Sequence, residues 1–162
     1  MTDKAKPPGV SIGQVFLERA DFSHRDDFLA LPPNKSVGKP SLLLGFQGGT
    51  SPDGRAGFVR ATAQTDPTER PLYNLTVTMI ALVEVEKGHE NMPLGEYLRT
   101  AGLAMLFPFL REAVANLTIR GRFGPLWLAP TNIAAAAAAE QLPKIQQPSR
   151  EKKAKNRAKA RS

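Results

Sequence analysis

The most regular feature of the chain is a strict alternation of apolar and polar positions over residues 73–86. Side chains of one parity are all apolar, and this set comprises Tyr73, Leu75, Val77, Met79, Ala81, Val83 and Val85. Because successive side chains of a strand point to opposite faces, the pattern predicts a long strand with one buried face. The other parity is polar except at Ile80 and Leu82, so we expect something to cover these two residues. A subunit partner is one candidate, which makes Ile80 and Leu82 candidates for an oligomer interface.

The first part of the chain predicts another strand, over residues 10–22, although its alternation is imperfect. One parity, which we assign to a single face, holds Val10, Ile12, Phe16, Ala20 and Phe22. Val15 and Leu17 have the other parity. Residues 23–40 contain three prolines and several charges, and therefore predict a loop with room for one helical turn.

Two further strands are predicted between this loop and the long strand. Residues 41–47 place three large apolar side chains on one face, namely Leu42, Leu44 and Phe46. Residues 48–54 are rich in glycine and other turn formers and predict a hairpin turn. Residues 56–64 are less apolar and predict a half-exposed strand.

The C-terminal half changes to a helical period. Apolar residues recur at intervals of three and four over 103–120, which predicts a long amphipathic helix. Because Pro108 lacks an N–H group and crowds the preceding turn, we expect the regular helix to begin near Phe107. Six alanines at 134–139 predict a second, shorter helix. Strands that precede helices indicate an α+β fold, here a four-stranded antiparallel sheet followed by a long helix and a short C-terminal helix.

Length and charge divide the chain into three parts. Its 162 residues suit one domain, which we place at 10–142, after a flexible N-terminus at 1–9. Residues 144–162 hold 8 Lys and Arg against one acid, and account for the whole formal charge of +7. We therefore expect a disordered basic tail at 143–162. It has three interpretations, which are a solubilising tail, a contact to nucleic acid and a contact to an anionic membrane surface.

The chain offers little catalytic chemistry. It has no cysteine, which excludes disulfides, thiolate catalysis and zinc–sulfur sites. His24 stands next to Ser23 and near Asp26, but neighbours in a loop form a poor triad, since triads depend on geometry. The glycines at 48–54 lack the Lys-Ser/Thr pair of a phosphate loop. We expect no catalytic residue, cofactor or metal and no enzymatic activity.

Neither end of the chain suggests a membrane. The N-terminus lacks the apolar core of a signal peptide, and the longest apolar run, at 101–110, is too short to cross a bilayer. We expect a soluble cytoplasmic protein without a transmembrane segment.

Two linked motifs carry a family resemblance. Residues 106–112 read Leu-Phe-Pro-Phe-Leu-Arg-Glu, and residues 125–133 read Pro-Leu-Trp-Leu-Ala-Pro-Thr-Asn-Ile. Together they resemble the SecB family of protein-export chaperones. The resemblance implies a homotetramer assembled as a dimer of dimers, without enzymatic activity. It also implies an ATP-independent holdase that keeps unfolded precursor proteins export-competent for the SecA motor.

Position matching to this family suggests where partners bind. The resemblance places a client-binding groove along Leu42, Leu44, Phe46, Phe107, Phe109, Leu110, Leu126, Trp127 and Leu128. Trp127 is the best candidate for an exposed position. Glu84 matches an acid of the family's SecA contact, whereas Arg19 and Ser23 stand where the first strand carries acids. We assign Asp21 to the face opposite that of Glu84.

These departures leave two alternatives to general export. One is a SecB-like chaperone dedicated to a specific client, such as an antitoxin, with weak or no SecA binding. The other is a nucleic-acid or ribosome-associated adaptor that acts through the basic tail.

Overall fold

The computed structural model describes residues 9–32, 42–86 and 92–129. Its elements in chain order are strands β1 (Val10–His24), β2 (Leu42–Thr50), β3 (Ala56–Thr65) and β4 (Tyr73–Val85), helix α1 (Leu94–Tyr97), a π-helical turn (Leu98–Gly102) and helix α2 (Leu103–Thr118). Short 3-10 turns occupy Phe28–Ala30 and Pro67–Glu69. The predicted C-terminal helix at 134–139 and the basic tail lie outside the described residues.

The four strands form one antiparallel sheet with the order β1-β4-β3-β2. This confirms the predicted four-stranded antiparallel sheet followed by a long helix. Helices α1 and α2 cover one face, where Val59, Ala61, Val77 and Val83 are fully buried. The opposite face, termed the open face below, carries the other parity of β4, including Ile80 and Glu84.

Two bulges explain the imperfect alternation of β1. Its register with β4 shifts between Ile12 and Gln14 and again between Leu17 and Arg19. Each extra residue reverses which parity faces the helices. The assignment of Phe16 to the same face as Val10 is therefore wrong, because Phe16 lies opposite Ile80 on the open face.

The glycine run contributes to a strand as well as to a turn. β2 continues through Gly48 and Gly49 to Thr50, and the turn lies at 51–55. The prediction that the turn begins at residue 48 was therefore wrong, because residues 48–50 still belong to β2. A Cβ on Gly49 would lie 2.6 Å from Cε1 of Phe58, so glycine makes room for the ring of its cross-strand neighbour.

Helix α2 supplies much of the core. Its inner face buries a stripe of residues at helical spacing, comprising Leu103, Leu106, Phe107, Leu110, Val114 and Thr118. The helix begins at Leu103 rather than near Phe107, with Pro108 inside it on the exposed side. Packing of the buried stripe outweighs the one hydrogen bond that proline cannot make, because helices in proteins depend mainly on tertiary packing.

Candidate functional site

The connector after α2, residues 119–129, presents the only tryptophan of the chain to solvent. Leu126 and Leu128 are 2% and 3% exposed and belong to the core, whereas Trp127 between them is 59% exposed. This in-out-in alternation fixes the direction of the indole, since neighbouring side chains of an extended segment point opposite ways. The expectation that Trp127 is exposed is confirmed.

Side chains from three elements hold the connector. The Nε2 atom of His24 on β1 accepts a hydrogen bond from Arg122 N–H at 3.1 Å. The hydroxyl of Tyr73 on β4 accepts from Phe123 N–H at 2.8 Å and donates to Gly124 O at 2.9 Å. The hydroxyl of Thr118 on α2 accepts from Leu126 N–H at 2.9 Å.

An aromatic cluster surrounds the start of this connector. The ring of His24 lies 4.7 Å from that of Phe28 and 5.5 Å from that of Tyr73, measured between centroids. Phe123 packs against Tyr73 at 5.7 Å. The imidazole thus serves as a hydrogen-bond acceptor in a packed aromatic cluster.

The predicted groove residues divide by exposure. Four are core residues that cannot contact a client in this conformation, namely Phe107, Leu110, Leu126 and Leu128. The β2 residues are half-buried and pack against the core from its edge, and these are Leu42, Leu44 and Phe46. Two aromatic side chains are exposed, Trp127 and Phe109, the latter at 44%. Five of the nine predicted groove residues therefore remain candidates for contact with a client.

Other exposed apolar side chains were missed from the sequence. Leu43 is 52% exposed and lies on the open face, opposite Gln64. The parity of β2 contained this signal, because Leu43 stands between two inward leucines. Ile119 is 57% exposed just after α2, where a helical period no longer applies.

Of the two residues predicted for a subunit interface, only Leu82 is exposed on the open face. Ile80 is only 7% exposed, because its own sheet covers it. Its direct neighbours are Phe16 on β1 and Arg60 on β3. Leu82, at 41%, remains available to a partner.

Four charged residues of the open face form two ion pairs within the chain. Arg60 donates to Glu18 at 2.6 Å and to Gln47 at 3.1 Å. Arg19 and Asp21 form a second, exposed ion pair. Sequence reasoning missed Glu18 because the bulge at Ile12/Gln14 turns the even-numbered residues that follow it, such as Phe16, to this face.

The position of Asp21 was predicted wrongly. Asp21 lies opposite Thr76, which has the same parity as Glu84, so both acids are on the open face. Arg19 and Ser23 share this face and line one open depression with Asn74 and Thr76. Glu84 is exposed near the opposite end of β4.

No group of three or more His, Cys, Asp or Glu side chains within the described residues is arranged to hold a metal ion. None of the described helices has the length and apolarity needed to cross a membrane.

Comparisons with known proteins agree with this architecture. The family model described as "Preprotein translocase subunit SecB" matches residues 57–142, more than half of the chain. The chain belongs to the SecB family. It is therefore a chaperone and not an enzyme, as the resemblance implied.

Two curated SecB relatives are similar in sequence. The protein-export protein SecB of Nitrosococcus oceani is 44% identical over 54 residues, which span 33% of either chain. The protein-export protein SecB of Albidiferax ferrireducens is 26% identical over 141 residues, which span 83% of this chain and 86% of the relative.

One solved structure shows the same fold. It is a SecB-like chaperone of Mycobacterium tuberculosis in complex with a ChAD peptide from the HigA1 antitoxin, with a TM-score of 0.54 and 22% identity. The similarity covers 75% of this SecB-family chain and 90% of that chain. The topology that places Trp127 and β2 at the surface is thus a SecB-like fold.

Proposed function

We propose that this SecB-family chain is an ATP-independent holdase that binds apolar segments of unfolded precursor proteins in the cytoplasm and keeps them export-competent. The observation that carries the proposal is Trp127, an indole held 59% exposed between two buried leucines. An exposed tryptophan on a fixed segment offers a large apolar contact area to many sequences. The five groove candidates are Leu42, Leu44, Phe46, Phe109 and Trp127.

Suppression of aggregation tests the holdase role. Wild-type protein, without ATP, should prevent light scattering by a denatured precursor as it is diluted from urea. Trp127→Ala should weaken suppression several-fold, because it removes the largest exposed contact. Leu29→Ala is the matched control, since Leu29 is 74% exposed but lies outside the groove candidates. If the wild type neither suppresses scattering nor forms a complex, the holdase proposal fails.

Transfer to SecA is the finer part of the proposal. Glu84 is an exposed acid on the open face, which supports docking of a basic partner surface. Binding of SecA should then be salt-sensitive and should weaken in Glu84→Gln. Absence of SecA binding by a protein that still suppresses aggregation would leave the holdase role and remove the export role.

A second candidate is a holdase dedicated to one client, such as an antitoxin. The ion pair between Arg19 and Asp21 favours it. This pair neutralises the carboxylate of Asp21, which lines the open depression and could otherwise attract a basic SecA surface. The SecB-like chaperone of the matching structure was solved with an antitoxin peptide. Tight binding to one neighbouring gene product together with weak SecA binding would favour this candidate over general export.

The oligomer and the tail remain predictions. A homotetramer should elute with a mass several times 17.6 kDa, and Leu82→Asp should reduce that mass if this exposed leucine lies at a subunit interface.

An adaptor that acts through residues 144–162 should bind RNA at low salt and lose this binding when they are deleted. Those residues lie outside the described part of the chain.

A further inference from the structure

Every backbone N–H group of the connector from residue 122 to 126 has a hydrogen-bond acceptor, although this segment belongs to no helix or strand. The N–H group of Arg122 donates to the side chain of His24, that of Phe123 to Tyr73 and that of Leu126 to Thr118. Gly124 N–H goes to the carbonyl of Gly121 at 3.1 Å, and Pro125 has no N–H. Buried segments require such pairing, but here three of the four acceptors are side chains from different elements.

Thr118 is the acceptor nearest to Trp127 along the chain. Its side chain is fully buried, and its hydroxyl donates to the carbonyl of Val114 at 2.8 Å while it accepts from Leu126 N–H. The donated bond leaves an oxygen lone pair directed at the connector, so the end of α2 determines where Leu126 lies. Trp127 is the next residue.

We propose that Thr118, supported by Tyr73 and His24, is a positioning residue for client binding. Its hydroxyl fixes the backbone at Leu126 so that Trp127 is presented in one geometry to aromatic and large aliphatic side chains of an unfolded client. Order before binding raises affinity, because the connector loses less conformational entropy when the client arrives. This inference rests on the proposed holdase function.

The substitutions Thr118→Val and Thr118→Ser test the role of the hydroxyl. Valine keeps the shape and removes the acceptor, whereas serine keeps the acceptor. Affinity is measured with reduced, carboxymethylated α-lactalbumin as a permanently unfolded probe, well below the melting temperature of every variant. We expect Thr118→Val to weaken binding about tenfold and Thr118→Ser to stay within about twofold of the wild type. Val83→Ala, a core change near the end of β4 opposite to Tyr73, controls for lost stability and should not change affinity.

A double-mutant cycle shows whether Thr118 acts through Trp127. In the Trp127→Ala background, Thr118→Val should have no further effect on affinity, because the side chain that it positions is absent. An equal loss in both backgrounds would overturn the proposal, since Thr118 would then act only through general stability. An unchanged affinity of folded Thr118→Val would overturn it as well.

The fluorescence of Trp127 tests the positioning without any client. As the only tryptophan, it reports its own motion. Time-resolved anisotropy should show a larger fast component in Thr118→Val than in the wild type, with recovery in Thr118→Ser. Identical decays in all three would overturn the positioning role even if the holdase is active. If the wild type does not bind the unfolded probe, the holdase function is rejected. The anisotropy decays would then still show whether Thr118 positions Trp127.

Discussion

The guanidinium of Arg60 on β3 reaches the carboxylate of Glu18 on β1 at 2.6 Å, although β4 lies between these strands. The ion pair therefore crosses β4 on the open face, at the level of Ile80, which is the register neighbour of Arg60. The ring of Phe58 lies 5.8 Å from the guanidinium carbon and flanks the crossing. This arrangement explains why an isoleucine on the open face is buried without a partner subunit.

Removal of the ion pair should reduce stability modestly. The two side chains are 35% and 36% exposed, so we expect Glu18→Gln to lower the free energy of unfolding by about 0.5–1 kcal/mol. Arg60→Ala should cost more, since it also uncovers Ile80 and releases Gln47. Urea unfolding at low and high salt measures both. Asp21→Asn is the control, because its pair with Arg19 is mostly exposed, and it should change stability very little. An equal loss in Asp21→Asn would contradict the special role of the crossing pair.

Gly121 should not tolerate a side chain. A Cβ there would lie 2.5 Å from the hydroxyl oxygen of Tyr73, which is held by two hydrogen bonds and cannot easily move. We expect Gly121→Ala to destabilise the protein by about 1–3 kcal/mol. Gly95→Ala is the matched control in α1, where nothing lies within 4 Å of the added atom, and alanine favours a helix. Thermal unfolding of the two variants distinguishes them, and similar melting temperatures would contradict the tight contact.

The sequence predicted the sheet and the long helix because their signals are local. Alternation over 73–86 and the helical period over 103–120 each arise from one element that buries one face. The faces of β1 could not be predicted, since its bulges depend on pairing with β4, and parity reverses at each of them. For the same reason Glu18 and Asp21 were missed or misplaced.

The site was predictable only in part. The exposure of Trp127 followed from the family resemblance and not from the local pattern, because residues 126–128 are all apolar. The acceptors that hold its connector are 9, 54 and 103 residues away from it in the sequence, at Thr118, Tyr73 and His24. No local pattern links them, because tertiary packing brings them together.

Two adjacent residues of α2 should separate binding from stability. Leu110 is fully buried, so Leu110→Ala should lower the free energy of unfolding by about 2–5 kcal/mol through the cavity that it leaves. Phe109, at 44% exposed, contributes little to the core, and Phe109→Ala should stay within about 0.5 kcal/mol of the wild type. Binding of an unfolded client should weaken in Phe109→Ala if Phe109 belongs to the groove. Full client affinity in that variant would remove Phe109 from the candidates.

Alkaline pH should selectively weaken the connector through Tyr73. Burial raises the pKa of this phenol above its ordinary value of 10.0, and the hydrogen bond from Phe123 N–H opposes the rise only in part. Between the unfolded and folded pKa values the folded state binds more protons, so the contribution of Tyr73 is complete below about pH 10 and is lost as pH rises through the folded pKa. Tyr73→Phe should cost about 1–3 kcal/mol at neutral pH, because Phe123 N–H and Gly124 O lose their partner. The stability gap between wild type and Tyr73→Phe, measured by urea unfolding from pH 7 to 11, should therefore narrow above pH 10, whereas a constant or growing gap would contradict the burial of a neutral phenol.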